Sequence, residues 1–507
     1  MKILILQLAR LGDIFQTAPV VNALKRIHPN CEIHMLVRKT FSVAAEMING
    51  LDHIWTLDTR KILEPLIDER PQIQSSVTEL LANLDEIKAV DYDQIINLSF
   101  SPFSSYLVYE LTNATGVDTK QGAPTIKGYS RLSDGYFDIK DDASAYFYAQ
   151  VGPGRSNRLH LTSLFGHVAG VELIESDWRM DHPSSESLEF LDYENYKQKM
   201  YIAVHLGASQ LDKTLSWSKW LQVVRKLYDQ FQGDIVFIGT TSEQEIADKV
   251  LLSLSGDRRP VNLIGKTTMS QAADLIRHAR LLIGGDSGPV QIASLVETPV
   301  LNISFATVSC WETGPLSKGS RIIPIQDEKD ISAEELAKEA FYMLQDSDQG
   351  MAKLRVESPL LAPKEYGEMP REFEWKLLQG IYMEGEFPRP IHDHYIDAVI
   401  RLAETNRLAM EQIEVLKINQ GNATIGLILD QADEIIREIG RLVPEVEPLV
   451  SWYFTEKIRI GPMDFDRLVE ATMNVHSGFA GLLEVRCLEI NDGNEMGGDS
   501  RDEISLE

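Results

Sequence analysis

Short apolar runs alternate with amphipathic segments over the first two thirds of the chain. Three such runs near the amino terminus lie at residues 2–8, 32–37 and 91–98. The segment at 14–27 between the first two has helical spacing and ends before Pro29. Strands separated by helices of this length are typical of a parallel sheet with helices on its faces. Residues 1–180 are therefore predicted to form a Rossmann-like α/β domain.

The same alternation recurs more clearly over residues 200–345. Six candidate strands share a short apolar core and lie at 201–206, 234–239, 261–265, 280–285, 299–304 and 321–325. Amphipathic helical segments fill the gaps, for example at 219–231 and 270–279. The pattern predicts a second Rossmann-like domain over 200–345, joined to the first near residues 175–199.

The pattern changes after about residue 346. Proline and glutamate interrupt residues 352–390, and four long helical segments without credible strands follow at 392–417, 424–442, 444–457 and 463–489. No internal repeat is visible, so residues 346–490 are predicted to form an appended helical bundle and not a solenoid. The last stretch, 491–507, is acidic and glycine-rich and is expected to be a disordered tail.

The charge balance argues against partners that carry many negative charges. The 507 residues contain 49 Lys and Arg against 76 Asp and Glu, a formal net charge of −27, which disfavours binding to nucleic acid or an anionic membrane. The excess is uneven, because residues 346–507 carry a net −16 and residues 1–345 a net −11. A local basic pocket in the α/β part is therefore compatible with the total.

Cysteine usage and hydropathy predict a cytoplasmic protein with reduced thiols. Cys31, Cys310 and Cys487 lie far apart, so neither a disulfide framework nor a zinc cluster is suggested. No run of about 18 apolar residues occurs, so no transmembrane helix is expected. The apolar start of the chain is short and is interrupted by Arg10 and Asp13, which favours a buried first strand over a signal peptide.

Ligands of open parallel sheets bind beyond the carboxyl ends of the strands, where loops lead into helices. In the first such loop, Gly12 permits close approach to the backbone and Asp13 follows at the mouth of the predicted cleft. One interpretation of Asp13 is a carboxylate that caps free helix amides. The other is a general base that removes a proton from an incoming nucleophile.

Two loops of the second predicted domain carry candidate ligands for anions and hydroxyls. Gly207-Ala208-Ser209 precedes Lys213, so that a phosphate could meet backbone amides and a mobile positive charge. In segment 239–245, a carboxylate near the helix start could accept hydrogen bonds from ribose hydroxyls. The alternatives are an ordinary surface lysine and a capping pair formed by Ser242 and Glu245.

Glycines are dense at residues 284–289, which read GGDSGP. Asp286 or Ser287 can cap the following helix, and Pro289 suits its first turn. The amides exposed at such a positive helix end suit a diphosphate, although an ordinary capped turn would look similar. No glycine cluster matches a Walker A or GxGxxG motif, which argues against P-loop and dehydrogenase functions.

Metal-dependent chemistry lacks its expected residues. Asp91-Tyr92-Asp93 has the Asp-x-Asp spacing of metal-dependent sugar transferases but precedes its strand, and Asp464-Phe465-Asp466 lies in the helical region. The eleven histidines form no HExxH motif, and GxSxG is absent. We predict neither a metal site nor a cofactor.

The order of these motifs resembles the ADP-heptose:lipopolysaccharide heptosyltransferase family. The resemblance rests on Arg10-Leu11-Gly12-Asp13, on the Gly-Ala-Ser…Lys segment that opens the second domain, and on the Gly-Asp-Ser-Gly turn near its end. It covers about residues 1–345 and implies the GT-B fold, with transfer that inverts configuration without a metal. The helical region lies outside the family pattern.

The resemblance also implies roles for individual residues. It makes Asp13 the catalytic base, Arg60 an acceptor ligand, and the remaining candidates ligands of the donor: Gly12, which precedes Asp13 in its loop, Ser209, Lys213, Glu243, Asp286, Ser287, Gly288 and Gln291. Glu245 competes with Glu243 for the ribose. The family usually has a histidine where Gln291 stands, and glutamine can donate a hydrogen bond but carries no charge.

A basic acceptor loop typical of the family is also replaced here, by the serine- and phenylalanine-rich residues 99–105, which argues against the lipopolysaccharide inner core as the acceptor. The sequence therefore predicts an inverting, metal-independent glycosyltransferase that moves heptose from ADP-heptose to an acceptor hydroxyl on a glycan, a lipid-linked glycan or a protein. The alternative is a non-catalytic module that binds a sugar nucleotide or a protein on a GT-B scaffold. The helical region is expected to pack or self-associate, more than to recruit a protein acceptor.

Overall fold

The computed structural model describes residues 1–67, 69–112, 123–152, 154–180, 199–207, 213–347, 371–419 and 422–494. In the amino-terminal part, the strands are β1 (Lys2–Gln7), β2 (Glu32–Arg38), β3 (His53–Leu57), β4 (Gln94–Asn97), β5 (Thr125–Arg131) and β6 (Phe137–Ile139). The helices are α1 (Leu11–Ile27), α2 (Ser42–Glu46), α3 (Thr59–Ile67), α4 (Ile73–Lys88), α5 (Pro102–Thr112), α6 (Asp142–Gln150) and α7 (Leu161–Ala169).

Among the described residues, the second part has six strands and six helices. The strands are β7 (Tyr201–His205), β8 (Asp234–Ile238), β9 (Val261–Asn262), β10 (Leu281–Gly285), β11 (Val300–Phe305) and β12 (Arg321–Ile325). The helices are α8 (Trp217–Gln230), α9 (Gln244–Ser253), α10 (Met269–His278), α11 (Gly288–Leu295), α12 (Cys310–Thr313) and α13 (Ala333–Ser347). The third part is helical, with α14 (Glu372–Tyr382), α15 (Asp393–Ile418), α16 (Ala423–Leu442), α17 (Glu447–Arg459) and α18 (Phe465–Asn494).

Two parallel sheets form the α/β part, as predicted. The first five strands run in the order β3-β2-β1-β4-β5, and the second sheet has the order β12-β11-β10-β7-β8-β9. The central strands are covered on both faces, which is why β1 is a continuous apolar run in which Ile3 to Leu6 are fully buried. Because neighbouring strands are parallel, their carboxyl ends meet at one edge of each sheet.

The chain divides into two compact units that differ from the predicted domains. The α/β unit comprises Met1–Arg131 and Arg158–Gly367 and holds both Rossmann-like halves, whereas the helical unit comprises Leu132–Asn157 and Glu368–Glu507. Residues 132–157, which the sequence assigns to the 1–180 domain, thus belong with the helices after residue 368. The appended region is therefore not an independent addition to the end of the chain.

Polar contacts within the helical unit explain this assignment. On α17, Arg459 pairs with Asp142 at 2.8 Å and donates from Nε to the carbonyl oxygen of Ile139 at 3.3 Å. On α6, the Gln150 amide donates to the carbonyl oxygen of Pro448 at 3.3 Å, and Tyr146 packs edge-on against Tyr382. These partners lie about 240 to 320 residues apart in sequence, so spacing alone could not reveal them.

Replacing Arg459 with methionine is expected to destabilise the helical unit by about 1–3 kcal/mol, because two carbonyl groups and two carboxylates lose a charged donor. The measurement is the free energy of opening from amide hydrogen exchange in α6 and α17. Arg441→Met is the matched control, since Arg441 is exposed and pairs only with Glu438 one turn away among the described residues. Equal effects of the two substitutions would contradict the role given to Arg459.

Three further expectations concern membrane-spanning helices, the cysteines, and the predicted linker and tail. Within the described ranges, no helix is both long and apolar enough to cross a membrane. Cys31 and Cys310 are free thiols. The predicted linker at 175–199 lies largely outside the described residues, as does the predicted tail beyond Asn494, where α18 ends.

Candidate active site

Asp13 lies in the first turn of α1, directly beyond the carboxyl end of β1. Its Oδ2 accepts a hydrogen bond from the Arg10 backbone N–H at 2.8 Å, so Asp13 bonds the N-cap residue Arg10 and is not itself the N-cap. That contact occupies one carboxylate oxygen and is compatible with proton transfer at Oδ1. Burial raises the pKa of Asp13, against the opposing effects of the Arg10 N–H and of the charges on Arg10 and Arg38. The contact with Arg10 and the general-base interpretation therefore do not exclude each other.

The Asp13 loop contacts the glycine-rich turn that precedes α11. A β-carbon added to Gly288 would lie 2.5 Å from Leu11 Cδ2, and one added to Gly12 would lie 3.5 Å from Gln291 Cγ. A larger side chain at 288 would push the two loops apart. The structure thus brings the catalytic candidate of the first sheet next to the predicted diphosphate turn of the second.

Within this turn, the Asp286 side chain is held by the neighbouring strand. Its Oδ1 accepts from Asn302 Nδ2 at 2.8 Å, and its Oδ2 accepts from Ser304 Oγ at 2.7 Å. Ser287 is the N-cap residue of α11 and has an extended backbone. Asp286 therefore fixes the turn from behind, and the hydroxyl of Ser287 and the backbone N–H groups of residues 286–288 are donors that suit an anion.

Burial raises the pKa of Asp286 to about 6, although the hydrogen bond from Ser304 and the positive charge of Lys213 oppose the rise. Between the unfolded value near 4 and this folded value, the folded protein binds more protons, so stability should fall as pH rises from 5 to 7. The Asp286 contribution to this loss is roughly 1 kcal/mol. Urea unfolding of wild type and Asp286→Asn at both pH values measures it, and an identical pH dependence in the two proteins would refute the assignment.

Lys213 is buried, with 9% of its surface exposed, and lies shortly before α8. A β-carbon added to Gly285 would lie 2.8 Å from the Lys213 carbonyl oxygen, which places this residue against the end of β10. Its charge acts on Asp286 in the adjacent turn. The alternative of an ordinary surface lysine is therefore wrong. Ser209, predicted to act beside Lys213, lies outside the described residues.

Glu243 and Glu245 occupy different environments. Glu243 is buried, and its carboxylate accepts from the Thr240 N–H at 2.6 Å and from Ser242 Oγ at 2.6 Å. It packs directly over Gly207 at the end of β7, where a β-carbon would collide with it. Glu245 is exposed and pairs with Lys249 at 2.6 Å. The capping box is formed by Thr240 and Glu243, so the predicted Ser242–Glu245 pair is wrong.

The other two sequence candidates are placed less directly. Gln291 is buried on α11, and its Nε2 donates to the Thr313 carbonyl oxygen at 2.6 Å, which ties α11 to α12. Arg60 is exposed near the start of α3, after strand β3, which β2 separates from β1. Gln291 thus donates a hydrogen bond within the protein, and Arg60 lies at the outer part of the carboxyl edge of the first sheet.

Sequence reasoning missed two polar residues of this site. Arg38 ends β2, donates to the Ala9 carbonyl oxygen at 2.7 Å and contributes positive charge near Asp13. His205 ends β7, is buried, and lies with Nδ1 3.1 Å from Ser287 Oγ. Both stand at carboxyl ends of strands next to recognised loops, and that position is the signal that could have found them. Across the described ranges, no group of three or more His, Cys, Asp or Glu side chains could hold a metal ion.

Residues 81–341 match the sequence model of glycosyltransferase family 9 (heptosyltransferase), more than half of the chain. The chain belongs to this family. Lipopolysaccharide heptosyltransferase 3 of Escherichia coli is 24% identical over 324 residues, 58% of this chain and 81% of the relative. Lipopolysaccharide heptosyltransferase 1 of Campylobacter coli is 22% identical over 329 residues, 61% of this chain and 85% of the relative.

A solved structure supports the fold. The glycosyl transferase family 9 protein from Veillonella parvula DSM 2008 has a TM-score of 0.52 and 18% identity, and the alignment covers 68% of this chain and 97% of that one. The predicted family, the GT-B fold and the prediction of a glycosyltransferase enzyme are confirmed. The family match contains the segments around Lys213, Glu243 and Asp286 and ends before the helices that follow residue 347.

Proposed function

We propose that this glycosyltransferase 9 enzyme transfers heptose from ADP-heptose to an acceptor hydroxyl, with inversion and without a metal. One observation carries the proposal: the Asp13 loop is in contact with the turn at Ser287 and Gly288. A base and an anion-binding turn that meet in this way suit a reaction in which a hydroxyl attacks as a diphosphate departs. Heptose is taken from the family description and ADP from the motif resemblance.

The chemical step needs one proton acceptor and one anion site. The acceptor oxygen forms a bond to the anomeric carbon on the face opposite the diphosphate, and its proton passes to Asp13. The bond between the anomeric carbon and the diphosphate oxygen breaks, and the electron pair leaves with the diphosphate. Lys213 and the backbone amides of residues 286–288 stabilise this growing negative charge. Attack from the opposite face inverts the anomeric configuration.

Donor recognition divides between two loops of the second sheet. The Glu243 carboxylate is buried at the end of β8, and its oxygens are acceptors suited to ribose hydroxyls. The Ser287 hydroxyl belongs to the diphosphate turn. Ser209 is retained as a phosphate ligand beside Lys213, and Gln291 as a residue that holds the donor turn in place.

The acceptor is proposed to approach the edge of the first sheet, where Asp13 and Arg60 follow β1 and β3. Relatives named for lipopolysaccharide synthesis favour a glycan acceptor of that pathway. An arginine at the outer part of the edge would pair with an anionic group on such a glycan. The exposed Arg60 side chain is accessible for this purpose.

The full-length enzyme can be tested with ADP-heptose, GDP-mannose and UDP-glucose against glycan acceptors, with and without EDTA. We expect ADP release that depends on ADP-heptose and an acceptor, an inverted product by NMR, and no loss of rate in EDTA. Release of GDP from GDP-mannose or of UDP from UDP-glucose, without release of ADP from ADP-heptose, would overturn the donor assignment. A retained configuration would overturn the single displacement, and a loss of rate that Mg²⁺ restores would overturn metal independence.

A further inference from the structure

His205 occupies the centre of the carboxyl edge of the second sheet. It is the last residue of β7, paired in register with Gly284 of β10 on one side and Ile238 of β8 on the other. The loop after β10 forms the diphosphate turn, and the loop after β8 carries Glu243. A side chain at this position can therefore contact both halves of the donor site.

On the diphosphate side, the contact is a hydrogen bond. His205 Nδ1 lies 3.1 Å from Ser287 Oγ, and the imidazole is buried with 6% of the residue exposed. Because Ser287 is the N-cap of α11 but makes no side-chain cap, its hydroxyl is not committed to the helix. The hydrogen bond to His205 therefore restricts the orientation of this hydroxyl.

On the ribose side, the ring edge faces Glu243. A β-carbon added to Gly239 would lie 3.5 Å from His205 Cδ2 and 2.7 Å from Glu243 Oε2, so both groups border the same small space. Burial lowers the pKa of His205, and the negative charge of Glu243 opposes that effect only in part. The imidazole is therefore neutral near pH 7 and carries one N–H.

The location of that single proton decides what Ser287 can do. Phosphate oxygens only accept hydrogen bonds, so Ser287 can bind a diphosphate only by donating its own proton. If Nδ1 were the acceptor, the Ser287 proton would point at the histidine and its lone pairs would face the phosphate. If Nδ1 carries the hydrogen, Ser287 accepts from the ring and its proton is free for the ligand.

We propose that His205 is a positioning residue whose Nδ1–H donates to Ser287 Oγ and so directs the Ser287 proton toward the diphosphate of the donor. This inference rests on the proposed function, because it takes a nucleoside diphosphate as the ligand of the turn. The same tautomer leaves Nε2 without a proton.

A double-mutant cycle on ADP affinity, measured by isothermal titration calorimetry, tests whether His205 acts through Ser287. His205→Ala and Ser287→Ala should each weaken ADP binding about 10-fold, the effect of one lost hydrogen bond to a charged group. The double variant should also bind about 10-fold more weakly, because each change already breaks the same chain. His205→Asn should bind within about 3-fold of wild type, since its amide nitrogen can occupy the place of Nδ1 and donate.

The controls and outcomes separate this inference from the proposed function. His278→Ala on α10 and Ser294→Ala on α11 remove comparable side chains that bond to the carbonyl oxygens of Asp274 and Val290, and should leave ADP affinity unchanged. If wild type binds ADP and the two site substitutions are additive, about 100-fold together, His205 acts independently of Ser287 and the inference fails. If wild type binds UDP or GDP but not ADP, the donor proposal fails, and the same cycle is read with the nucleotide that binds.

The tautomer gives a readout that a purely structural role would not move. In ¹⁵N-histidine-labelled protein saturated with ADP, the resonance absent from His205→Asn should show protonated Nδ1 and unprotonated Nε2. The opposite tautomer would overturn the inference even if His205→Ala binds ADP weakly. Failure of wild type to bind any of the three nucleoside diphosphates would instead overturn the proposed function.

Discussion

Replacing Asp13 with asparagine is expected to lower the rate of sugar transfer about 10²–10⁴-fold, the usual contribution of a positioned general base. Asparagine has nearly the same shape and still presents an oxygen to the Arg10 N–H, so the start of α1 should be preserved. It cannot accept a proton from the acceptor hydroxyl. ADP affinity should remain within about 3-fold of wild type, because the donor ligands lie on the second sheet.

The pH dependence offers a second test of Asp13. Burial holds its pKa above the ordinary value for aspartate, and only the ionised carboxylate can accept a proton. Transfer should therefore decline as pH falls through this raised pKa, and Asp13→Asn should lack that acidic limb. Asp141→Asn is a matched control, since Asp141 caps α6 through Ser144 at 2.8 Å and lies in the helical unit. Equal rate losses in the two variants would show that capping, and not base catalysis, explains Asp13.

The fold was predictable where hydrophobic burial dominates the pattern. β1, β7 and β10 are central strands covered on both faces, and their uninterrupted apolar runs identify them. β3 was missed because it is an edge strand whose HIWTL sequence leaves His53 exposed. β9 is only two residues long, shorter than the run predicted there, because pairing with β8 ends at Asn262.

Among the helices after residue 346, two long ones were predicted closely and a shorter one was missed. α15 and α16 lie within a residue of their predicted bounds, because long segments keep helical spacing over many turns. α14 was missed, since the prolines around it suggested an interrupted segment. The grouping of residues 132–157 with these helices depends on contacts such as Arg155 with Glu447, which no local pattern encodes.

The loops that form the site could be predicted from the sequence, but most contacts between their side chains could not. Parallel strands place their following loops at one edge, so Gly12, Lys213 and the 286–288 turn could be named from order alone. Which glutamate faces Gly207 depends on the turn at Thr240, and the sequence left that choice open. Arg38 and His205 lie at strand ends, a position visible in the sequence, but their contacts with Ala9 and Ser287 require coordinates.

The unit boundaries also change how the helical region can be studied. Deleting residues 350–507 would remove the packing partners of α6 along with any docking surface. Loss of transfer by that truncation would then report misfolding of residues 132–157 as readily as loss of an acceptor. Substitutions on exposed faces, such as Leu427 and Leu442 of α16, leave the contacts of α6 intact and are the informative variants.

Lys213→Ala is expected to lower kcat about 10²–10³-fold, comparable to the removal of one donor from an oxyanion site. The diphosphate gains negative charge as its bond to the sugar breaks, so a buried cation interacts more strongly with the transition state than with the bound donor. KM for ADP-heptose should therefore change less than kcat. Lys213→Arg keeps the charge and should recover part of the rate, limited by the different shape of the guanidinium.

Removal of this cation has a second consequence within the protein. Lys213 lowers the pKa of Asp286 against the effect of burial, so the alanine variant should raise that pKa above about 6 and shift the pH dependence of unfolding upward. Lys219→Ala is the control. Lys219 lies on α8, and its ammonium donates to the Ile331 carbonyl oxygen at 2.7 Å, so the substitution should alter neither kcat nor the Asp286 titration. A folded Lys213→Ala enzyme with the kcat of wild type would show that the backbone amides of residues 286–288 suffice for the departing diphosphate, and would remove Lys213 from the mechanism.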